Sequence, residues 1–288
     1  MFAKKSLGQN FLHSQGALRA IIVAGEVVST DTILEIGPGK GALTQKLLET
    51  GAKVIAIEKD GELIPLLTEK FALEIKSGQL DLREGDILEL DAKKIFGYRK
   101  NKIISPRPSG SPLILRGEGI PKANSRKLTP ESYKLIANIP YYITGEIIRK
   151  FFEETTQPTR MVLLVEKEVA VRIVAKDNKE SILSIACKAY STPKYIQTVK
   201  RDCFNPAPNV DSTIIAFGDI SKDIFKENKI KEENFFEVVK LGFSHKRKKL
   251  SGNLKPLKDK LNQEKFEEFK DSRAEDLTLG DWVALIKN

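Results

Sequence analysis

Short apolar runs alternate with amphipathic stretches through the first 175 residues of the chain. Residues 32–36 (TILEI) are apolar and meet glycine at Gly37, which predicts a buried strand running into a loop. Residues 41–50 then read as a helix, 53–57 (KVIAI) as a second strand and 61–71 as another helical stretch. Further strands are predicted over 80–84, 134–137 and 161–165, with helices over 145–154 and 167–175. Strands alternating with helices imply a parallel, doubly wound sheet. Strands near 182–190, 194–199 and 211–217 follow with no helix between them, which suggests an antiparallel edge. Beyond Gly218 the pattern changes: residues 232–288 show helical spacing, as in Phe235, Val238, Val239, Phe243 and later Trp282, Leu285, Ile286. The expected organisation is therefore an α/β domain over 1–218 and a small all-helical C-terminal domain over 219–288.

Composition narrows the class. A chain of 288 residues, 41% apolar and 30% charged, suits an ordinary globular protein of this two-part size. No apolar run reaches 18 residues, and the basic start is not followed by an apolar signal segment, so neither a membrane partner nor secretion is expected. Cys187 and Cys203 are too few for a disulfide framework and lack metal-ligand spacing, which predicts a reduced, cytoplasmic protein without a structural metal. The net charge of +9 is unevenly placed. Residues 97–134 and 240–260 each carry +7, so the remainder is mildly acidic. Two basic stretches of this kind point to a polyanion. The first is also rich in proline and glycine and is long for a connection inside an α/β unit, so it reads as an insertion.

The run Leu34-Glu35-Ile36-Gly37-Pro38-Gly39-Lys40-Gly41 sets glycines at the carboxyl end of a strand, just before a helix, where a ligand must approach the backbone closely. Glu58 ends the next strand, in the place of a carboxylate that takes both hydroxyls of a ribose. The glycines alone also nearly fit a dinucleotide fingerprint. Two carboxylates favour S-adenosylmethionine instead. Glu35, beside the glycines, suits the ligand's ammonium group and would repel a pyrophosphate. Asp86, after the third strand, suits the amine of the ligand's adenine.

After the fourth strand comes Asn138-Ile139-Pro140-Tyr141, at the edge where open α/β sheets bind ligands. The exocyclic amine of adenine is a poor nucleophile because its lone pair is delocalised into the ring. The Asn138 side-chain oxygen and the Ile139 carbonyl are two acceptors for its two hydrogens, favouring a more tetrahedral nitrogen. Pro140 fixes the turn and Tyr141 offers a flat face to the base.

With these motifs the sequence resembles the ribosomal RNA adenine dimethyltransferases over nearly its whole length. The opening Ser6-Leu7-Gly8-Gln9-Asn10-Phe11-Leu12, the stretches 166–173 and 204–212, and Phe243-Ser244-His245-Lys246-Arg247-Lys248-Lys249-Leu250 resemble family motifs. The resemblance implies a Rossmann-like class I methyltransferase sheet. It implies that Asn10 and Leu12 line the cofactor pocket, that Asn138 serves there too, and that Phe204 packs on the target base. It implies that Lys246, Arg247, Lys248 and Lys249 lie on a basic helix that opens the small domain and binds RNA. Residues 167–170, 210–212 and 246–250 look like the small-subunit branch, which implies dimethylation of two adjacent adenines near the 3′ end of 16S rRNA, by a monomer acting on a pre-ribosomal particle. Insertion 97–134 is longer and more basic than this connection usually is in the family. The alternatives are the large-subunit, macrolide-resistance branch, a nicotinamide-dependent oxidoreductase, and a non-catalytic RNA-binding or assembly factor that keeps the fold.

Overall fold

The computed structural model describes residue 4 and residues 7–91, 95–96 and 132–286. Most of insertion 97–134 thus lies outside the described residues. Its last member, Lys134, lies inside, opening a strand and pairing with Asp31 at 2.8 Å. That lysine is part of the scaffold.

Seven strands form one sheet: β2 (Thr32–Ile36), β3 (Lys53–Glu58), β4 (Leu80–Glu84), β5 (Lys134–Asn138), β6 (Arg160–Glu166), β7 (Thr192–Val199) and β9 (Ser212–Gly218), in the spatial order β4-β3-β2-β5-β6-β9-β7. The first five are parallel. β9 is antiparallel to both of its neighbours and is slotted between β6 and β7. The antiparallel edge expected from the sequence is therefore this final pair. The central strands read as continuous apolar runs because both faces are covered. Leu34, Ile36, Leu135 and Ala137 join one core cluster, while Ile33, Val54, Ala56 and Ile136 join the other. A short separate ladder pairs β1 (Phe11–Leu12) with β8 (Phe204–Asn205).

The helices are α1 (Gln15–Ala24), α2 (Ala42–Glu49), α3 (Ile64–Lys70), α4 (Ala72–Ser77), α5 (Thr144–Glu153), α6 (Lys167–Val174), α7 (Ile182–Tyr190), α8 (Asp223–Glu227), α9 (Glu232–Gly242), α10 (Leu250–Asn253), α11 (Gln263–Phe269) and α12 (Leu279–Ile286). Residues 182–190, expected as a strand, are the helix α7. A short apolar run does not distinguish the two by periodicity. Here Ser181 and Ser184 form a reciprocal capping box that starts a helix. None of the described helices is long and apolar enough to cross a membrane.

Chain order places β2→β3→β4 on one side of the sheet centre and β5→β6 on the other. The carboxyl ends of β2 and β5 therefore flank a topological switch point, where such sheets open a crevice. The helices after Gly218 share one continuous core with the sheet face beneath α5 and α7. Gly242 ends α9 against Trp282, and a methyl group there would overlap the indole ring. Because Trp282 is the only tryptophan, Gly242→Ala should red-shift the intrinsic fluorescence and cost about 1–3 kcal/mol of stability by overpacking. An unshifted spectrum with unchanged melting would mean that the indole moves aside freely.

Candidate active site

The loop between β2 and α2 bends through three residues in the left-handed region, Gly37 (φ 64°), Gly39 (φ 59°) and Gly41 (φ 76°). Nothing lies within 4 Å of where a Gly37 side chain would begin. At that position glycine serves the backbone conformation and leaves open space. The loop borders a cavity of about 250 Å³ lined by residues 7–12, 35–40, 58–59, 85–88 and 138–143. Residues 7–12, the Glu35 and glycine run, Glu58, Asp86 and Asn138–Tyr141 meet there, whereas Phe204, the stretch 166–173 and the basic stretch do not line it.

Glu35 is 1% exposed, and its Oε2 has no hydrogen-bond partner among the described residues. Burial pushes its carboxyl up to about 8; Thr44 opposes that shift and the Glu58 carboxylate adds to it. A buried acid with one oxygen unbonded at the cavity wall suits a cationic group. Glu58 is 5% exposed. It accepts the Gly39 N–H at 3.0 Å on Oε2 and the Asp60 N–H at 2.8 Å on Oε1. Burial raises its pKa, and these bonds hold it back. Asp86 caps a short 3-10 turn by accepting from the Leu88 N–H at 3.0 Å, and its Oδ2 pairs with Lys59 at 2.7 Å. The Lys59 ammonium holds its carboxyl below the ordinary carboxylate range.

Residues 7–12 form a continuous part of the cavity lining. Phe11 lies against Gly39, with Lys40 above its ring. The Asn10 carbonyl accepts from Asn138 Nδ2 at 3.1 Å. That bond occupies the amide nitrogen of Asn138 and leaves the side-chain oxygen as the group presented to a ligand. Pro140 leads into a 3-10 turn over Tyr141–Ile143, and the Tyr141 hydroxyl is 2.5 Å from Ser212 Oγ. Tyr142, which sequence reasoning passed over, is 61% exposed, lines the cavity and lies on Gly8.

Phe204 is placed differently from the expectation. It is 4% exposed, stands opposite Leu12 in the β1–β8 ladder and belongs to the core with Leu12 and Ile214. It does not line the cavity. Pairing with β1 turns its ring inward, where it supports Leu12, which does line the cavity.

Lys246, Arg247, Lys248 and Lys249 are all exposed, but they form a loop between α9 and α10 and no helix. The buried Asn253 fixes the loop by donating to the carbonyls of Gly242 (2.6 Å) and His245 (3.2 Å). Lys249 pairs with Asp271 at 2.8 Å.

A family profile described as "Ribosomal RNA adenine dimethylase" matches residues 2–288. The chain belongs to this ribosomal RNA adenine dimethylase family. Among its relatives, the "Ribosomal RNA small subunit methyltransferase A" of Fusobacterium nucleatum subsp. nucleatum is 35% identical over 291 residues, covering 99% of this chain and 96% of that protein. A crystal structure of a dimethyladenosine transferase from Plasmodium falciparum superposes with a TM-score of 0.69 at 24% identity, covering 95% of both chains. That of the 23S rRNA methyltransferase ErmE gives 0.67 at 18% identity, covering 96% of this chain and 98% of that one. Both show the shared fold. As a member of the adenine dimethylase family, the protein is an rRNA methyltransferase that uses S-adenosylmethionine. The donor set fits that molecule: an orphaned buried acid suits its ammonium, a carboxylate on β3 its ribose, and an open glycine loop its close approach.

Proposed function

We propose that the protein dimethylates N6 of two adjacent adenines near the 3′ end of small-subunit rRNA, acting as a monomer on a pre-ribosomal particle. The bond from Asn138 Nδ2 to the Asn10 carbonyl carries the chemical reading, because it fixes Asn138 Oδ1 as an acceptor. Glu35, Gly37, Gly39, Glu58 and Asp86, with Asn10 and Leu12, would hold the methyl donor. That donor supplies an electrophilic methyl group on a sulfonium. Leaving the RNA stack costs the target adenine a few kcal/mol. The Tyr141 ring would recover roughly 1–3 kcal/mol by stacking on it. Asn138 Oδ1 and the Ile139 carbonyl then receive the two amine hydrogens and aim the nitrogen lone pair at the methyl. Positioning of this kind is worth about 7–11 kcal/mol in favourable cases. The methylated nitrogen is acidic enough to pass its proton to water, so no side chain need serve as a strong base.

The small-subunit reading is supported by the Fusobacterium relative, whose name specifies the small subunit. The decisive experiment is incubation with labelled S-adenosylmethionine and undermethylated small or large subunits, followed by mapping of the modified nucleotides. Label confined to large-subunit RNA would overturn it. The exposed loop from Lys246 to Lys249 would grip phosphates, and one cleft runs from Gly145, just past Tyr141, to Lys246. Replacing these four residues with glutamine should weaken RNA binding and reduce its salt slope by about 0.7–0.9 for each phosphate no longer neutralised. An unchanged slope would remove the loop from the interface.

A further inference from the structure

Asp60 is buried, lies two residues past Glu58 and belongs to none of the motifs described above. Its Oδ1 accepts from Lys4 Nζ at 2.7 Å, and its Oδ2 from Gln9 Nε2 at 2.8 Å. Gln9 Oε1 in turn accepts the Lys4 N–H at 2.9 Å. The N–H of Asp60 donates to Glu58 Oε1 at 2.8 Å. One aspartate therefore ties the carboxylate on β3 to the segment 7–12 that lines the cavity. Farther along that segment, Asn10 accepts from Asn138, and Phe11–Leu12 pair with Phe204–Asn205.

We propose that Asp60 is a positioning residue: it latches residues 7–12 over the methyl-donor pocket and, through them, holds Asn138 in its acceptor orientation. The inference deepens the reading of this cavity as the donor site and rests on it. Asp60 does not line the cavity, so its influence must pass through the segment it holds. A ladder of two residues is too short to fix that segment alone. The charge-assisted bonds at Asp60 are its second anchor. With both ends fixed, the backbone at Asn10 is held in place between them, and the amide of Asn138 with it.

The test uses the full chain carrying Asp60→Asn or, at the partly exposed end of the latch, Lys4→Gln. S-adenosylmethionine affinity is measured by calorimetry, backbone amide exchange by mass spectrometry, and kcat and KM separately. Asp60→Asn should bind the donor about tenfold more weakly, the effect of losing a charge-assisted hydrogen bond. Exchange should accelerate over residues 7–12 while the strands of the sheet stay protected. The KM for the donor should rise, and kcat should also fall at saturating donor because Asn138 loses its orientation. Lys4→Gln should move every readout the same way by a smaller factor. Unchanged affinity and exchange in Asp60→Asn would overturn the latch. Exchange rising throughout the sheet would make Asp60 a general stabiliser and overturn it equally. Wild-type protein that binds no S-adenosylmethionine would refute the donor-site reading, and the latch with it.

Discussion

Asn138→Ala should lose methyl transfer while still binding S-adenosylmethionine. The side chain stands at the end of β5, beside the glycine loop at the end of β2, and its nitrogen is already engaged by Asn10. Removing it deletes one of two acceptors for the target amine and leaves the Asn10 carbonyl without its donor. Loss of one preorganised hydrogen-bonding group at a reacting centre costs about 10²–10³ in kcat. The carboxylates that would hold the donor are untouched, so calorimetry should return an affinity near wild type. Asn138→Asp is the sharper companion. It keeps an acceptor oxygen but cannot donate to Asn10, so it should also be severely slowed. Full activity in either variant would remove Asn138 from the chemistry.

Glu35→Gln should act in opposite directions on stability and on donor binding. The native carboxyl titrates at about 8 instead of at its ordinary 4.5, because it is buried. Between those values the folded protein holds a proton that the unfolded chain releases, so the contribution of Glu35 to stability falls as pH rises through this window. A shift of that size corresponds to a penalty on the order of 5 kcal/mol above pH 8. Glutamine removes the charge at nearly constant shape. The variant should melt close to wild type at pH 5 and well above it at pH 9, and a gap that does not widen with pH would contradict this account. Binding goes the other way, since the ammonium loses its carboxylate. Near pH 7, donor binding to wild type should release a proton from Glu35, visible as calorimetric heats that differ between buffers of unlike ionisation enthalpy. In Glu35→Gln that dependence should disappear.

The parallel part of the sheet was legible because its strands are buried on both faces and so stand out as apolar runs closed by glycine or a polar turn. Ile33 to Ile36 and Val54 to Ile57 are such runs. Helix α7 was not legible, since Ile182 to Tyr190 is equally apolar and only a serine box marks its start. Among the site residues, Glu35, Gly37, Gly39, Glu58, Asp86 and Asn138 declared themselves through type and spacing after strands, and they do converge on one cavity. Asp60 and Tyr142 had no such signal, because their importance comes from touching a segment some fifty or more residues away, at Gln9 and Gly8 respectively. Phe204 was misplaced for the same reason. Nothing in residues 204–212 announces pairing with Phe11–Leu12, and that pairing decides which way the ring faces.

The slot filled by β9 has a consequence for how the protein is made. A chain emerges from its amino end, so β6 and β7 both appear before the strand that belongs between them. Until residue 218 is available each has an unpaired edge, the kind of surface on which nascent chains stick to one another. When β9 inserts, both edges close together, and Ser212 at its start delivers the partner of the Tyr141 hydroxyl. Completion of the sheet and anchoring of the tyrosine therefore both wait for the same strand.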